Sequence, residues 1–82
     1  MRKEAKNIIL KYLQERLFEI GQTSVLQENE SLFLSGKLDS LAAVHFILFL
    51  EEQFPQQMSN FEFGLEKIDS VIAVLDSLKI MK

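Results

Sequence analysis

The chain of 82 residues contains no cysteine, so neither a disulfide framework nor a thiolate metal site can form, and packing has to supply the stability. Such a chain suits a reducing compartment. Histidine occurs once, at His45. Any metal site would have to be built from carboxylates alone, and the acids do not follow the spacing of a calcium loop. The three glycines, Gly21, Gly36 and Gly64, lie too far apart for a phosphate-cradling loop. A long apolar run is also missing. The most apolar stretch, Leu41 to Leu50, is about half of the roughly 20 residues that a membrane-spanning helix needs, and it holds His45. Met1-Arg2-Lys3-Glu4 leads into a mixed pattern without the apolar core and cleavage site of a signal peptide. No membrane span and a cytoplasmic location are the expectation.

Clustered positive charge is absent too. Residues 1 to 20 carry Arg2, Lys3, Lys6, Lys11 and Arg16 against Glu4, Glu15 and Glu19, a net of +2. The overall charge of −3 leaves −5 for residues 21 to 82. Cations interleaved with acids make a poor partner for a phosphate backbone, so nucleic acid is not expected as a ligand.

What is present is the balance of a folded domain: 48% hydrophobic residues and 26% charged, far from the composition of a disordered tail. A chain this short supports one modest core, so residues 1–82 are read as a single domain. Ala5, Ile8, Ile9, Tyr12, Leu13, Leu17 and Ile20 recur at steps of three and four and predict a first helix with one apolar stripe. Gly21 is a natural left-handed terminator for it. From Gln22 to Lys37 the residues are mainly polar, with Val25, Leu26, Leu32, Phe33 and Leu34 scattered among them. A packed loop of that length is unusual in so small a domain, and such loops tend to serve function.

This loop leads through Gly36 to Leu38-Asp39-Ser40-Leu41 and an apolar helical segment reaching Phe54, where Pro55 forbids continuation. Asp39 is a good N-cap, which makes Ser40 the first helical residue, exposed at a helix start. Ala43, Phe46, Ile47, Leu50 and Phe54 share one side and are expected in the core. Beyond them, Phe61-Glu62-Phe63 before Gly64 is read as a single helical turn at best. Val71, Ile72, Val74, Leu75 and Leu78 form a last amphipathic stripe, capped by Asp69 or Ser70, with Lys79 suited to the negative end of its dipole. No segment alternates with period two. The expected fold is all-α: a small three- to four-helix bundle with a long loop between helices 1 and 2.

The run Leu34-Ser35-Gly36-Lys37-Leu38-Asp39-Ser40-Leu41, followed by a hydrophobic helix ending Leu50-Glu51-Glu52-Gln53-Phe54, resembles the acyl carrier protein family, which includes peptidyl and D-alanyl carrier proteins. The likeness covers nearly the whole chain, because the helices and the long loop follow in family order. It implies a bundle of acyl-carrier type and a phosphopantetheinyl transferase that uses coenzyme A and Mg²⁺ to place 4′-phosphopantetheine on Ser40. The arm's thiol would carry acyl groups as thioesters between partners of fatty-acid, polyketide or related biosynthesis: an adenylating or acyl-loading enzyme, an acyltransferase or a ketosynthase. Asp39, Leu41 and Gly36 fall around the attachment point. A phosphodiester on a first-turn residue would sit in the positive field of the helix N-terminus. The Asp39 charge opposes it slightly, so its use lies in capping and, by analogy, in organising metal and transferase during loading. Gly36 has a plain reading, a turn needing positive φ, and a functional one, room for the arm or the transferase. The second Asp-Ser pair, Asp69-Ser70, follows no long loop and is read as a helix cap.

The sequence departs from the family's acidic members. Between Ser40 and Leu50 there is no carboxylate, and acid appears only at Glu51 and Glu52, so electrostatic steering of partners is expected to be weak. Helix 2 has more apolar residues than one core stripe holds. Leu41, Val44, His45 and Leu48 lie away from the core side, and some of Leu41, Val44, Leu48 and Phe49 are expected to form a docking patch. His45 does not complete a hydrolytic triad with Asp39 and Ser40, since five helical residues turn a side chain about 140° and raise it about 7.5 Å; it is expected to face solvent or a partner, with Leu41, Val44 and Leu48. A carrier that catalyses nothing alone, and a monomer, are the expectations. Two alternatives stand: an aminoacyl, peptidyl or D-alanyl carrier, and an unmodified helical adaptor that binds partners through helix 2.

Overall fold

The computed structural model describes residues 2–22, 25–59, 61–62 and 64–80, and among them there is no strand. The first apolar stripe forms α1 (Arg2–Glu19), which buries Ala5, Ile9, Leu13 and Leu17. Their spacing of four residues keeps them in register with the helical repeat. Ile8 and Ile20, expected on the same stripe, are exposed, because one neighbouring layer covers an arc too narrow to reach the stripe's edges. Gly21 ends the helix at φ +85°, with the Gln22 N–H donating to the Leu17 carbonyl at 2.8 Å, the Schellman closure that glycine permits.

The long loop is tied down along its length. The Leu26 N–H donates to the Gln14 side-chain oxygen on α1. Leu26, Leu32 and Leu38 are buried, whereas Val25 and Leu34 are exposed. Between Ser31 and Lys37 the loop makes one helix-like turn, in which the Ser35 N–H donates to the Ser31 carbonyl and the Lys37 N–H to the Leu32 carbonyl. Gly36 closes that turn at φ +77°, and a Cβ placed there would meet no atom within 4 Å. Its backbone conformation, not a crowded neighbour, is what calls for glycine.

Helix α2 (Ser40–Gln53) buries Ala43, Phe46 and Leu50, with Ile47 and Phe54 packed at the core's edge. Pro55 stops α2 but also opens α3 (Pro55–Met58), occupying a first-turn position where its fixed φ and missing N–H cost nothing. The Met58 N–H donates to the Phe54 carbonyl and closes that turn. This corrects the expected helical turn at 61–63. Phe61 and Glu62 are not helical, Phe63 lies outside the described residues, and a 3₁₀ turn forms further on, at Leu65–Lys67. Helix α4 (Val71–Ser77) buries Val71, Val74 and Leu75, and Leu78 and Ile80 extend the same core beyond its end.

The contacts define the packing. Arg2 meets Asp76 at 3.0 Å and the Ile80 carbonyl at 2.7 Å, so the start of α1 lies against the end of α4 and the two helices run antiparallel. Tyr12 stacks on Phe46 and Phe49, with ring centroids 5.9 and 3.9 Å apart, and Arg16 reaches His45. Position numbers rise on α1 as they fall on α2, so this pair is antiparallel as well. α1 and α4 approach each other within 8 Å between Cα atoms, but among the described residues no Cα of α1 comes that close to α2. Aromatic rings bridge the wider gap. The result is a small all-helical bundle, and among the described residues no helix is long and apolar enough to cross a membrane.

Candidate functional site

The loop delivers the chain to α2 with Asp39 extended, at φ −109° and ψ −177°. Its carboxylate accepts the Ala42 N–H at 2.8 Å, while its carbonyl accepts the Ala43 N–H at 2.8 Å and begins the helical ladder. This is the cap geometry that satisfies one of the amides a helix start leaves unpaired. Ser40 is the first helical residue and is exposed. Among the described residues nothing hydrogen-bonds its hydroxyl, and the Ser40 and Leu41 amides have no acceptor, so a nucleophilic oxygen and two free N–H donors meet at the positive end of a helix of 14 residues.

Leu41, Val44 and Leu48 are 67%, 55% and 58% exposed, and they form an open apolar strip down α2 from Ser40. His45 is exposed beside them. The Arg16 guanidinium, which has only donors to offer, lies 3.2 Å from His45 Nδ1, so that ring nitrogen is the acceptor. The same guanidinium lies over the Tyr12 ring at 5.8 Å and beside Glu19 at 3.5 Å. Phe49, the fourth member of the expected docking set, turns inward and stacks on Tyr12. Its ring packs into the gap between α1 and α2 and is partly buried there.

Gly36 lies four residues before Ser40, on the turn that aims the loop at α2. Beside it, Lys37 forms a largely covered ion pair with Glu30, their side chains 11% and 20% exposed. The hydrogen bond from Lys37, followed by the one from the Gln27 N–H, holds the Glu30 carboxyl below its ordinary value of 4.5. The pair spans the base of the turn and sets the approach to Asp39.

The cap of α4 is Ser70, whose hydroxyl oxygen accepts the Ala73 N–H at 3.0 Å. Asp69 has a different task that sequence reasoning missed. Its carboxylate accepts the Ser31 hydroxyl at 2.6 Å and the Phe33 N–H at 3.0 Å, and its carbonyl accepts the Leu32 N–H at 2.6 Å. Three bonds from one residue thus pin the turn that precedes Ser40. The only local signal was the pairing of two cap-type residues, one more than a helix start uses. Among the described residues no group of His, Cys, Asp and Glu is arranged to hold a metal ion. No protein-family model, curated protein or solved structure matches this chain.

Proposed function

We propose that this chain is a carrier protein that holds a 4′-phosphopantetheine arm on Ser40 Oγ. The observation that carries the reading is the exposed, unbonded Ser40 hydroxyl as first residue of α2, with Asp39 as cap, at the end of a long loop bonded to α1 and to Asp69, just before α4. The residues suit the group. A phosphodiester at Ser40 would lie beside the free Ser40 and Leu41 amides, and the absent side chain at Gly36 faces open space. The group's thiol would hold acyl cargo as a thioester. The chain's own residues present the attachment oxygen, cap the helix beneath it and offer the strip of Leu41, Val44 and Leu48 to partner enzymes. Those partners would be a phosphopantetheinyl transferase, an acyl-loading or adenylating enzyme, and an acyltransferase or ketosynthase, which supply the chemistry.

Intact mass after incubation with coenzyme A, Mg²⁺ and a broad-specificity phosphopantetheinyl transferase tests this. One phosphopantetheinyl addition is expected for the natural chain and none for Ser40→Ala. Addition to Ser40→Ala would move the attachment elsewhere. An unmodified chain, under conditions that load a known carrier, would favour the second reading: an adaptor that binds an apolar partner surface. The exposed strip on α2 supports that alternative. Aminoacyl and D-alanyl cargo belong to the first reading and are separated from acyl cargo by loading assays with adenylating enzymes.

A further inference from the structure

The exposed face of α2 changes character along its length. Leu41, Val44 and Leu48, each more than half exposed, make it apolar. The helix has no Lys or Arg of its own, but the Arg16 guanidinium reaches across from α1 to within 3.2 Å of the His45 ring and supplies a positive charge there. Glu52 lies seven residues beyond His45, about 10.5 Å or two turns along the helix, with Glu51 beside it. Both acids are exposed, and among the described residues neither is in an ion pair. Arg16, His45 and Glu52 line one open groove together with Tyr12, Leu48 and Phe49, so the cation and the acid lie on the same side of α2.

The order of charges decides what can cover this face. A two-fold axis crossing α2 at Leu48 would turn a second copy antiparallel to the first, so that each contact occurs twice. Leu48 then meets Leu48 of the other copy, His45 meets Glu51, the Val44 side chain meets the stem of Glu52, and Leu41 meets the exposed Pro55. Because Arg16 and Glu52 share one side of the helix, the same rotation brings each guanidinium to the other copy's Glu52 carboxylate. Arg16 has donors to spare: a guanidinium offers five N–H groups, and its partners within the chain are the exposed His45 and Glu19. A parallel pair would instead set cation level with cation and acid level with acid.

We propose that two copies of this chain pair through α2, antiparallel about Leu48, with Arg16 of each copy on Glu52 of the other. The inference is independent of what Ser40 carries, and it departs from the expected monomer. One face of α2, about 21 Å long and about 10 Å wide, offers about 200 Å² per copy, well short of the roughly 800 Å² per partner of a stable interface. The pair is therefore weak, with a Kd on the order of 0.1–1 mM. It shields an apolar strip without locking it. Since it covers Val44 and Leu48, any other partner of that strip has to displace the second copy.

NMR of the unmodified full chain as a function of concentration tests this, with translational diffusion as the measure of size. Between about 0.02 and 2 mM the amides of Leu41, His45, Leu48 and Glu52 are expected to shift together as diffusion slows, while those of Val71, Val74 and Leu75 stay in place. Unchanged diffusion overturns the proposal, and so do shifts centred on the other exposed apolar residues, Phe18, Ile20 and Val25. Arg16→Glu and Glu52→Arg are each expected to weaken pairing about tenfold, since each sets like charges together at two symmetric contacts. Mixed in equal amounts, the two variants are expected to pair within about threefold of the parent, because each supplies the charge that the other has lost. No recovery in the mixture overturns the antiparallel register. Leu48→Glu leaves α1 untouched and puts two carboxylates face to face on the axis, so it reports even where an Arg16 variant fails to fold. It is expected to abolish the concentration dependence, and pairing that survives it overturns the proposal.

Discussion

Asp69 offers the sharpest test of how the site is held. Its carboxylate accepts two hydrogen bonds, from the Ser31 hydroxyl at 2.6 Å and the Phe33 N–H at 3.0 Å. Bonds to a charged acceptor contribute about 1.5–3 kcal/mol each. Asp69, Ser31 and Phe33 are half-buried, so water can replace part of what is lost, and the lower end applies. Asp69→Ala is therefore expected to cost about 2–3 kcal/mol. The Leu32 N–H bond to the Asp69 carbonyl is main-chain and survives. With a urea slope of about 1 kcal/mol/M, the midpoint falls by about 2–3 M, and in a heat scan Tm falls by about 10–20 °C. Asp69→Asn, which keeps one acceptor oxygen, should land between. Ser70→Ala loses only a cap and should cost about 1 kcal/mol. Amide exchange separates loop loosening from global unfolding: Phe33 and Leu34 should exchange faster in Asp69→Ala under native conditions, ahead of Phe46. A midpoint within about 0.5 M of the parent, or a larger loss in Ser70→Ala than in Asp69→Ala, would refute this division of labour between the two residues.

Three further expectations follow from the same geometry. Val44→Glu and Leu48→Glu replace residues more than half exposed, so each should change stability by less than about 0.5 kcal/mol while weakening transfer to partner enzymes; unfolding of either would place those residues in the core. The depressed Glu30 carboxyl stabilises the fold fully above its ordinary value of 4.5 and loses that contribution as pH falls through its lower folded value. Glu30→Gln should accordingly flatten the fall in Tm below that pH, and an unchanged acid profile would dismiss the ion pair. Lys79 closes α4 in the left-handed region at φ +59°, with the Ile80 N–H on the Leu75 carbonyl. Lys79→Gly should raise stability by about 0.5–1 kcal/mol in urea titrations, and a loss of that size would contradict the strain.

Local signals were legible in the sequence because they act over one or two turns. The four-residue spacing of Ala5, Ile9, Leu13 and Leu17 specifies α1. Asp39 and Ala42 are close enough to meet as soon as a helix begins at Ser40, so the exposed hydroxyl at that helix start could be read without coordinates. Gly21 and Gly36 marked two left-handed closures. Pro55 was read as a stop, although the same fixed φ that ends α2 also opens α3.

Long-range choices were not legible. Whether Asp69 caps a helix or reaches Ser31, 38 residues earlier in the chain, depends on where the loop lies once the helices pack. Ile8 and Ile20 satisfy the helical period but fall at the margin of a contact whose width the partner sets. Phe49 pairs with Tyr12 across two helices, a contact that the period of its own helix does not specify. Periodicity tells a residue which side of its own helix it occupies. What covers that side is decided by side-chain volumes and spacing contributed by distant segments, and only the packed bundle brings those together.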